Sequence, residues 1–549
     1  MIDDWIETRE SYINWVATSN LRSLLEKEEG FQWCGMSLWW ALNVTQKDNF
    51  QVDGWYKKLH DALIAHKKNT SNYIPPFEVS RNEYLTLTTH LVKRIILKLL
   101  LIMFSKNKHE LSDDYIWFHS LIYNLNESNG AVNDRLYCET PSLAHNFNAK
   151  PAYIVKYFSA GKFTIKTFLK DIKKFKKIRY EKIICDQYIG VYEILKIYLL
   201  TYKAKKSLLN ILKSNESSKL FNIDGLDVGN ILIPYILDSF EGKIQDSLIY
   251  AQGMKNALSK VAPKGGIMVT YGELLPMFKP VCHLLHTLIN PIRIIAVQHA
   301  YSNKNKLASY YRKIEFYDDG ESKYISYSPR PDLYLVQGSQ YAKILSEFFD
   351  EDKIKIIGCL KFDDLKREKI QEDSLAKFKY KKKVLVAPSL LDEPEIEGVL
   401  KDSKEILKCC IIYSPHPISK DKNFRDFLRQ LAGDNYIEVK GLSTARLISD
   451  VDFVVTGYSS VAIEARIFNI DSVRLYSSNN PPKIDESDPI TIISSGRDFD
   501  KYISNGCSKK LSTKNTKIIE EIFYRIDGNS GYRMWEEIDT FRKRGNVSD

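Results

Sequence analysis

The sequence has no C-x-x-C pair, and its eight cysteines are scattered along 549 residues. A zinc ribbon or a disulfide scaffold is therefore disfavoured, and a reducing cytosol is the expected setting. No stretch reaches the ~20 clean apolar residues of a spanning helix. The longest apolar run, 91–104, is broken by Lys93, Arg94 and Lys98. A Walker loop, H-E-x-x-H and G-x-G-x-x-G are all missing, which removes NTPase, zincin and dinucleotide-binding readings as first choices. The first residues carry Asp3, Asp4 and Glu7 where a signal peptide would be basic, so secretion is disfavoured. Hydrophobic residues at 44% and charged residues at 27% exclude wholesale disorder, and the length suits two or three domains.

What is present is a local excess of base. The net charge is only +10, yet three segments of the first half concentrate lysine. Residues 91–108 hold five basic side chains without an acidic neighbour. Residues 162–182 hold eight lysines and one arginine against two acids, with Phe168, Ile172 and Phe175 at helical spacing. Residues 194–213 repeat the pattern with Lys196, Lys203, Lys205 and Lys206. One such run is usually a solvated face; three suggest a shared anionic partner. Lipid is favoured over nucleic acid because the faces opposite the lysines are apolar and no nucleic-acid-binding signature occurs.

Residues 1–90, rich in tryptophan, read as mixed helix, and 115–123 as a strand. From about 228 short β-branched runs alternate with helical patterns. Strands are predicted at 266–270, 292–297, 333–337 and 354–357, with helices near 272–289 and 339–349. The charged stretch 366–383 reads as a linker. The rhythm then restarts with strands at 384–387, 409–413, 436–439, 453–456 and 472–475. A helix near 516–525 and a polar tail close the chain. This is the pattern of parallel α/β sheets, with domains expected at 1–365 and 384–515, basic insertions at about 91–108 and 162–213, and a terminal segment at 516–549.

Ligands of such sheets bind at the carboxyl ends of the strands, and four places there carry chemistry. His416, between Pro415 and Pro417, follows the 409–413 strand. A histidine held in a proline-restricted loop can donate to a phosphate or protonate a leaving oxygen; a turn histidine satisfied by backbone is the plain alternative. Forty residues on, Thr456-Gly457-Tyr458-Ser459-Ser460 leads into a helix that includes Glu464. There, serine capping and free N–H groups would form an anion site. Val461 replaces the second glycine of G-x-S-x-G, so a hydrolase elbow is not supported. Glu273 ends the 266–270 strand and is a candidate general base, or simply a first-turn glutamate. Gln298 and His299 end the next strand. Asp318 and Asp319 are further acidic candidates in what is also an ordinary D-D-G turn. Asp450 and Asp452 match a metal-binding D-x-D but precede their strand.

Taken together, Gln298-His299, Pro329-x-Pro331-Asp332 to Gly338, His416-Pro417 and Ser459-Ser460 to Glu464-Ala465 resemble the GT-B glycosyltransferases of bacterial surface-polysaccharide synthesis. Trp39-Trp40 and Asn133-Asp134-Arg135 look familiar for the same group, while Ala300 stands where glycine is usual. More narrowly, the chain is similar to the Kdo, sialic, legionaminic and pseudaminic acid transferases. The resemblance implies a GT-B-like α/β fold. Two Rossmann-like domains would face across a cleft, with helical membrane-associating insertions in the N-terminal, acceptor-side one. It implies a CMP-activated sugar as donor substrate, no metal, and no separate cofactor. His416, Pro417, Gly457, Ser459, Ser460 and Glu464 would serve the nucleotide together with Gln298 and His299, and Glu273, or Asp318 or Asp319, would act as base. The partners implied are a glycan or lipid-linked glycan acceptor and the inner face of the cytoplasmic membrane, with no nucleic acid. A CDP-glycerol-type polyol-phosphate transferase shares the H-P histidine, and a non-catalytic membrane scaffold on a degenerate transferase fold is a third reading.

Overall fold

The computed structural model describes residues 2–47, 54–70, 83–104, 115–128, 131–157, 163–213, 217–272, 277–300, 302, 306–317, 326–365, 382–389, 392–416, 419, 422–439, 444–476, 490–505 and 513–544. The chain divides into two compact units, 1–361 with 529–549, and 362–528.

The first unit is built on a seven-stranded parallel sheet. Its strands are β1 (Tyr115–Leu121), β2 (Lys150–Lys156), β3 (Glu181–Ile184), β4 (Gly266–Thr270), β5 (Ile292–Val297), β6 (Leu333–Val336) and β7 (Ile354–Ile356). Their spatial order is 3-2-1-4-5-6-7, and every pairing is parallel. Alternate residues serve two separate cores. Trp117, Ile154, Met268 and Ile294 face the core shared with the N-terminal helices, whereas Phe118, Val155, Val269 and Ile295 face the other. A parallel strand covered on both sides can be apolar throughout, which is why these runs were legible. The sheet starts well before residue 228, because β1, β2 and β3 form its other half.

The helices that matter below are α1 (Ile2–Thr18), α2 (Trp55–Lys67), α3 (Glu83–Phe104), α4 (Ile165–Lys176), α5 (Val191–Leu212), α6 (Ile244–Val261) and α7 (Phe278–His286). Trp39, Trp40 and Trp55 are fully buried under the first helices. Two helical expectations need correction. The basic segment 162–182 is not one helix: α4 stops at Lys176, and Glu181–Ile184 is sheet strand β3, paired with β2. Within 91–104, Arg94 and Lys98 do not face outward. Arg94 pairs with Asp246 of α6, and Lys98 donates to the Gln187 carbonyl. No helix among the described residues is long and apolar enough to cross a membrane.

The second unit holds a six-stranded parallel sheet: β8 (Lys383–Val386), β9 (Cys410–Tyr413), β10 (Tyr436–Glu438), β11 (Phe453–Thr456), β12 (Asp471–Leu475) and β13 (Thr491–Ile493). Its spatial order, β10-β9-β8-β11-β12-β13, is the doubly wound 3-2-1-4-5-6 arrangement. Two helix-covered parallel sheets give the chain the α/β, GT-B-like architecture. The expected linker 366–383 runs one residue too far, since Lys383 is already in β8 opposite Cys410; residues 366–381 lie outside the described ones. Asp452 accepts the Lys383 N–H at 2.8 Å, at the amino edge of the sheet and away from any ligand end.

The predicted polar tail is a helix. After α8 (Val461–Ile467) and α9 (Thr513–Phe523), α10 (Ser530–Arg544) returns to the first unit. Trp535 is fully buried there beside Phe118, and its Nε1 donates to the Thr140 carbonyl at 2.7 Å. Arg533 caps β7 from the same helix, donating to Ile357 O at 2.7 Å. Deleting a buried aromatic costs about 3–5 kcal/mol. Trp535→Ala is expected to lower the stability of the first unit by that amount in denaturant unfolding followed by amide exchange of β1 and β4. Protection of β8 and β11, in the second unit, should be unchanged.

Candidate functional site

In the second unit the strand order reverses at β8, which has β9 on one side and β11 on the other. Chains leaving neighbouring strands at such a point diverge to opposite faces and open a crevice at the carboxyl edge. β9 delivers His416 there. Ser414 N–H still bonds Val386 O at 3.0 Å, Ser419 N–H bonds the His416 carbonyl at 2.9 Å, and His416 is half-buried. Pro417 lies outside the described residues. β11 delivers the 457–460 loop. Two strand spacings, roughly 10 Å, separate the two deliveries.

The loop is clamped from two sides by residues that sequence reasoning missed. Arg474 of β12 is buried and donates from Nη1 to both the Gly457 and the Ser459 carbonyls, each at 2.8 Å. Asp392, just before the Glu393–Leu400 helix that follows β8, is also buried, and its Oδ2 accepts the Tyr458 N–H at 3.0 Å. A Cβ on Gly457 would lie 2.2 Å from that oxygen, so close packing demands the glycine. Of the two serines expected to cap the helix, one does so. Ser460 has helical backbone angles and makes no capping bond; its Oγ donates to Glu464 at 2.9 Å. Ser459 takes the capping part instead, its Oγ accepting the Val461 N–H at 3.4 Å. α8 spans only seven residues, and Glu464 is buried as the partner of Ser460. Tyr458, Ser459 and Ser460 are the half-buried residues of the loop.

The strand reversal of the first unit, between β1 and β4, is filled by its own side chains. The Tyr271 hydroxyl accepts from Leu121 N at 3.0 Å and Asn124 Nδ2 at 2.8 Å, and donates to Asp134 Oδ2 at 2.8 Å. Asp134 also takes the Ser120 hydroxyl and the Leu136 N–H, and Arg135 Nε holds Asn124 Oδ1 at 2.9 Å. Burial pushes the Asp134 carboxyl up to about 6. Beside it the buried His119 meets Thr270 Oγ1 at 2.9 Å through Nδ1 and the Tyr250 hydroxyl through Nε2. Burial and then Lys156 hold its ring down to about 3.

Gln298 is a brace. Its Oε1 accepts the Gln337 N–H at 2.8 Å, and its Nε2 donates to Ala300 O at 2.9 Å, tying the ends of β5 and β6. The oxygen and one N–H of its amide are thus engaged within the first unit. His299 is half-buried, edge-on to Tyr271 with ring centres 5.7 Å apart, and burial holds it down to about 4. Glu273, Asp318 and Asp319 lie outside the described residues.

Two of these groups pull stability in opposite directions. The unfolded chain binds a proton on His119 between pH 3 and 6.5 that the folded chain excludes, so this group makes stability rise with pH. Folded Asp134 keeps its proton to about pH 6 while the unfolded carboxyl loses it near 4, so this group makes stability fall with pH. Urea midpoints measured from pH 4 to 6.5 should therefore rise less steeply with pH in His119→Gln and more steeply in Asp134→Asn than in the parent chain.

No family model and no curated protein matches the chain. Solved structures do. The Staphylococcus aureus MnaA–UDP co-structure is 12% identical over 78% of this chain and 96% of its own, with a TM-score of 0.43. The UDP-GlcNAc 2-epimerase from Neisseria meningitidis bound to UDP-GlcNAc is 11% identical over 77% and 99%, at 0.42. The wall teichoic acid polymerase TagF is 14% identical over 86% and 100%, at 0.40. At these identities and TM-scores, what the chain does rests on its own residues.

Proposed function

We propose that this chain is a glycosyltransferase that moves a nonulosonic acid from its CMP-activated form onto a surface-polysaccharide or lipid-linked glycan. One observation carries the proposal: the 457–459 loop, clamped by Asp392 and Arg474, lies across β8 from His416 at the carboxyl edge of a doubly wound sheet. A loop fixed from behind keeps its outward groups in place without reorganising when charge develops in front of them. His416 then donates to the donor phosphate and neutralises charge as CMP departs, and Ser459 offers its hydroxyl to the same phosphate. Because Arg474 is spent on two backbone carbonyls, its part is positioning. Choice of CMP over other nucleotides follows from the resemblance of the H-P and S-S motifs to CMP-sugar transferases.

Calorimetry with CMP, UDP and GDP tests the site. His416→Ala and Ser459→Ala are each expected to weaken CMP binding about 10-fold or more while leaving the thermal midpoint unchanged, since both residues sit half-exposed. Unchanged CMP affinity in both variants would refute the placement. CMP release with a CMP-nonulosonate supports the proposed donor. Release with CDP-glycerol alone transfers the reading to polyol-phosphate chemistry, and binding of UDP without CMP overturns both.

The acceptor hydroxyl needs a base, and Glu273 is assigned that role. Loss of a general base costs about 10²–10⁴-fold in rate. Glu273→Gln should lose turnover on that scale and keep CMP binding. Near-parental turnover in Glu273→Gln together with an inactive Asp319→Asn moves the role to the 318–319 pair.

A further inference from the structure

The outer surface of the first unit reverses the usual sorting of side chains. α3 turns three of its polar side chains inward and leaves Lys93 exposed: Arg94 and His90 meet Asp246, and Lys98 is bonded to Gln187 O. It turns Val92, Ile96, Leu99 and Met103 outward, at spacings of four, three and four residues. Leu99 is 51% exposed and Met103 68%. A helix face in water is polar; this one would sit there only at the expense of its exposed apolar area.

α5 continues the surface. Tyr192, Leu195, Leu199 and Tyr202 form an outward stripe, with Leu199 57% and Tyr202 63% exposed. Lys196, Lys203 and Lys206 are exposed along it. α3 and α5 are joined by the His90–Tyr198 hydrogen bond, and Phe104 at the end of α3 stacks edge-on against Phe168 of α4. α4 adds exposed Ile165 and Leu169 among Lys166, Lys170 and Lys173. The acids on α4 and α5 are already engaged: Glu193 with Gly190 N–H and Asn256, Asp171 with the Tyr157 hydroxyl.

We infer that the outward faces of α3, α4 and α5 form one docking surface for an anionic lipid bilayer, with the apolar stripes entering the headgroup boundary and the lysines meeting the headgroups. Alternating apolar and lysine rows on in-plane helices fit a layer that is apolar below and negatively charged above. A second copy of this chain fits poorly, because its own surface would bring lysine against lysine. The inference does not depend on which sugar or nucleotide the second unit takes.

Flotation of the full chain with phosphatidylcholine vesicles, with and without phosphatidylglycerol, tests it. The parent chain should float with phosphatidylglycerol and lose most of that binding at high salt, since exposed charges are screened beyond ~8 Å at physiological ionic strength. Leu99→Glu combined with Leu199→Glu should abolish flotation with an unchanged melting curve, as both positions are exposed. Lys166→Glu, Lys170→Glu and Lys173→Glu together should remove the preference for phosphatidylglycerol. In Tyr192→Trp, the emission difference from the parent should shift to the blue when vesicles are added. Three results would overturn the inference: flotation unaffected by the leucine pair, emission of Tyr192→Trp unaffected by vesicles, or a solution dimer that the leucine pair dissociates.

Discussion

The central strands of both sheets are buried on two sides, so these sheets meet a ligand at their carboxyl edge, and the reversal of strand order decides where along it. At the reversal, two chain segments leave in opposite directions, and their backbone groups must be satisfied by something. The two units solve this differently. The first closes the gap with its own hydroxyls, amide and carboxyl, around Tyr271 and Asp134. The second leaves His416, Tyr458 and Ser459 half-buried and spends Asp392 and Arg474 on holding the loop from behind. A site filled by side chains resists ligands, whereas a braced and partly open one receives them. That contrast supports the proposal that the second unit takes the nucleotide.

Half-buried charge explains the other unusual surface. Arg94 and Asp246 lose part of their hydration together, and an ion pair partly withdrawn from water is favoured when each partner stays engaged. Asp246 has two partners on one helix, the His90 ring and the Arg94 guanidinium. Once these fix the rotation of α3, Leu97 and Leu101 face the core, and Val92, Ile96, Leu99 and Met103 are left on the outward side. Sequence periodicity alone cannot decide this, since a basic and an apolar stripe on one helix exchange places by rotation about its axis.

The parallel strands were legible because burial on both faces writes itself as uninterrupted β-branched runs, as in Phe453-Val-Val-Thr456. The membership of β1, β2 and β3 was less so, because long helical and loop segments separate them from β4. The mixed stretch 177–182 concealed the end of α4, whose apolar period carries on through Ile178 past the actual stop at Lys176. The site was half legible. His416 and Gly457 announced themselves by prolines, glycine and position after a strand. Asp392 and Arg474 did not, since an acid a few residues past β8 and a single arginine inside Asp471–Leu475 acquire meaning only when the strand order sets both against one loop. Gln298 shows the matching limit: its place after β5 suited a ligand, yet the N–H of Gln337 after β6 takes its amide oxygen and the Ala300 carbonyl takes its amide nitrogen.

The return of α10 to the first unit has a consequence for synthesis. Residues 362–528 form the second unit, and the helix that seals the far face of the first sheet around Trp535 arrives only after them. A ribosome making ~5–20 residues per second takes roughly 10–40 s to pass from residue 361 to residue 544. Through that interval the second unit can complete its core while Phe118 and its neighbours still await their last cover. The unit made first is thus the one finished last.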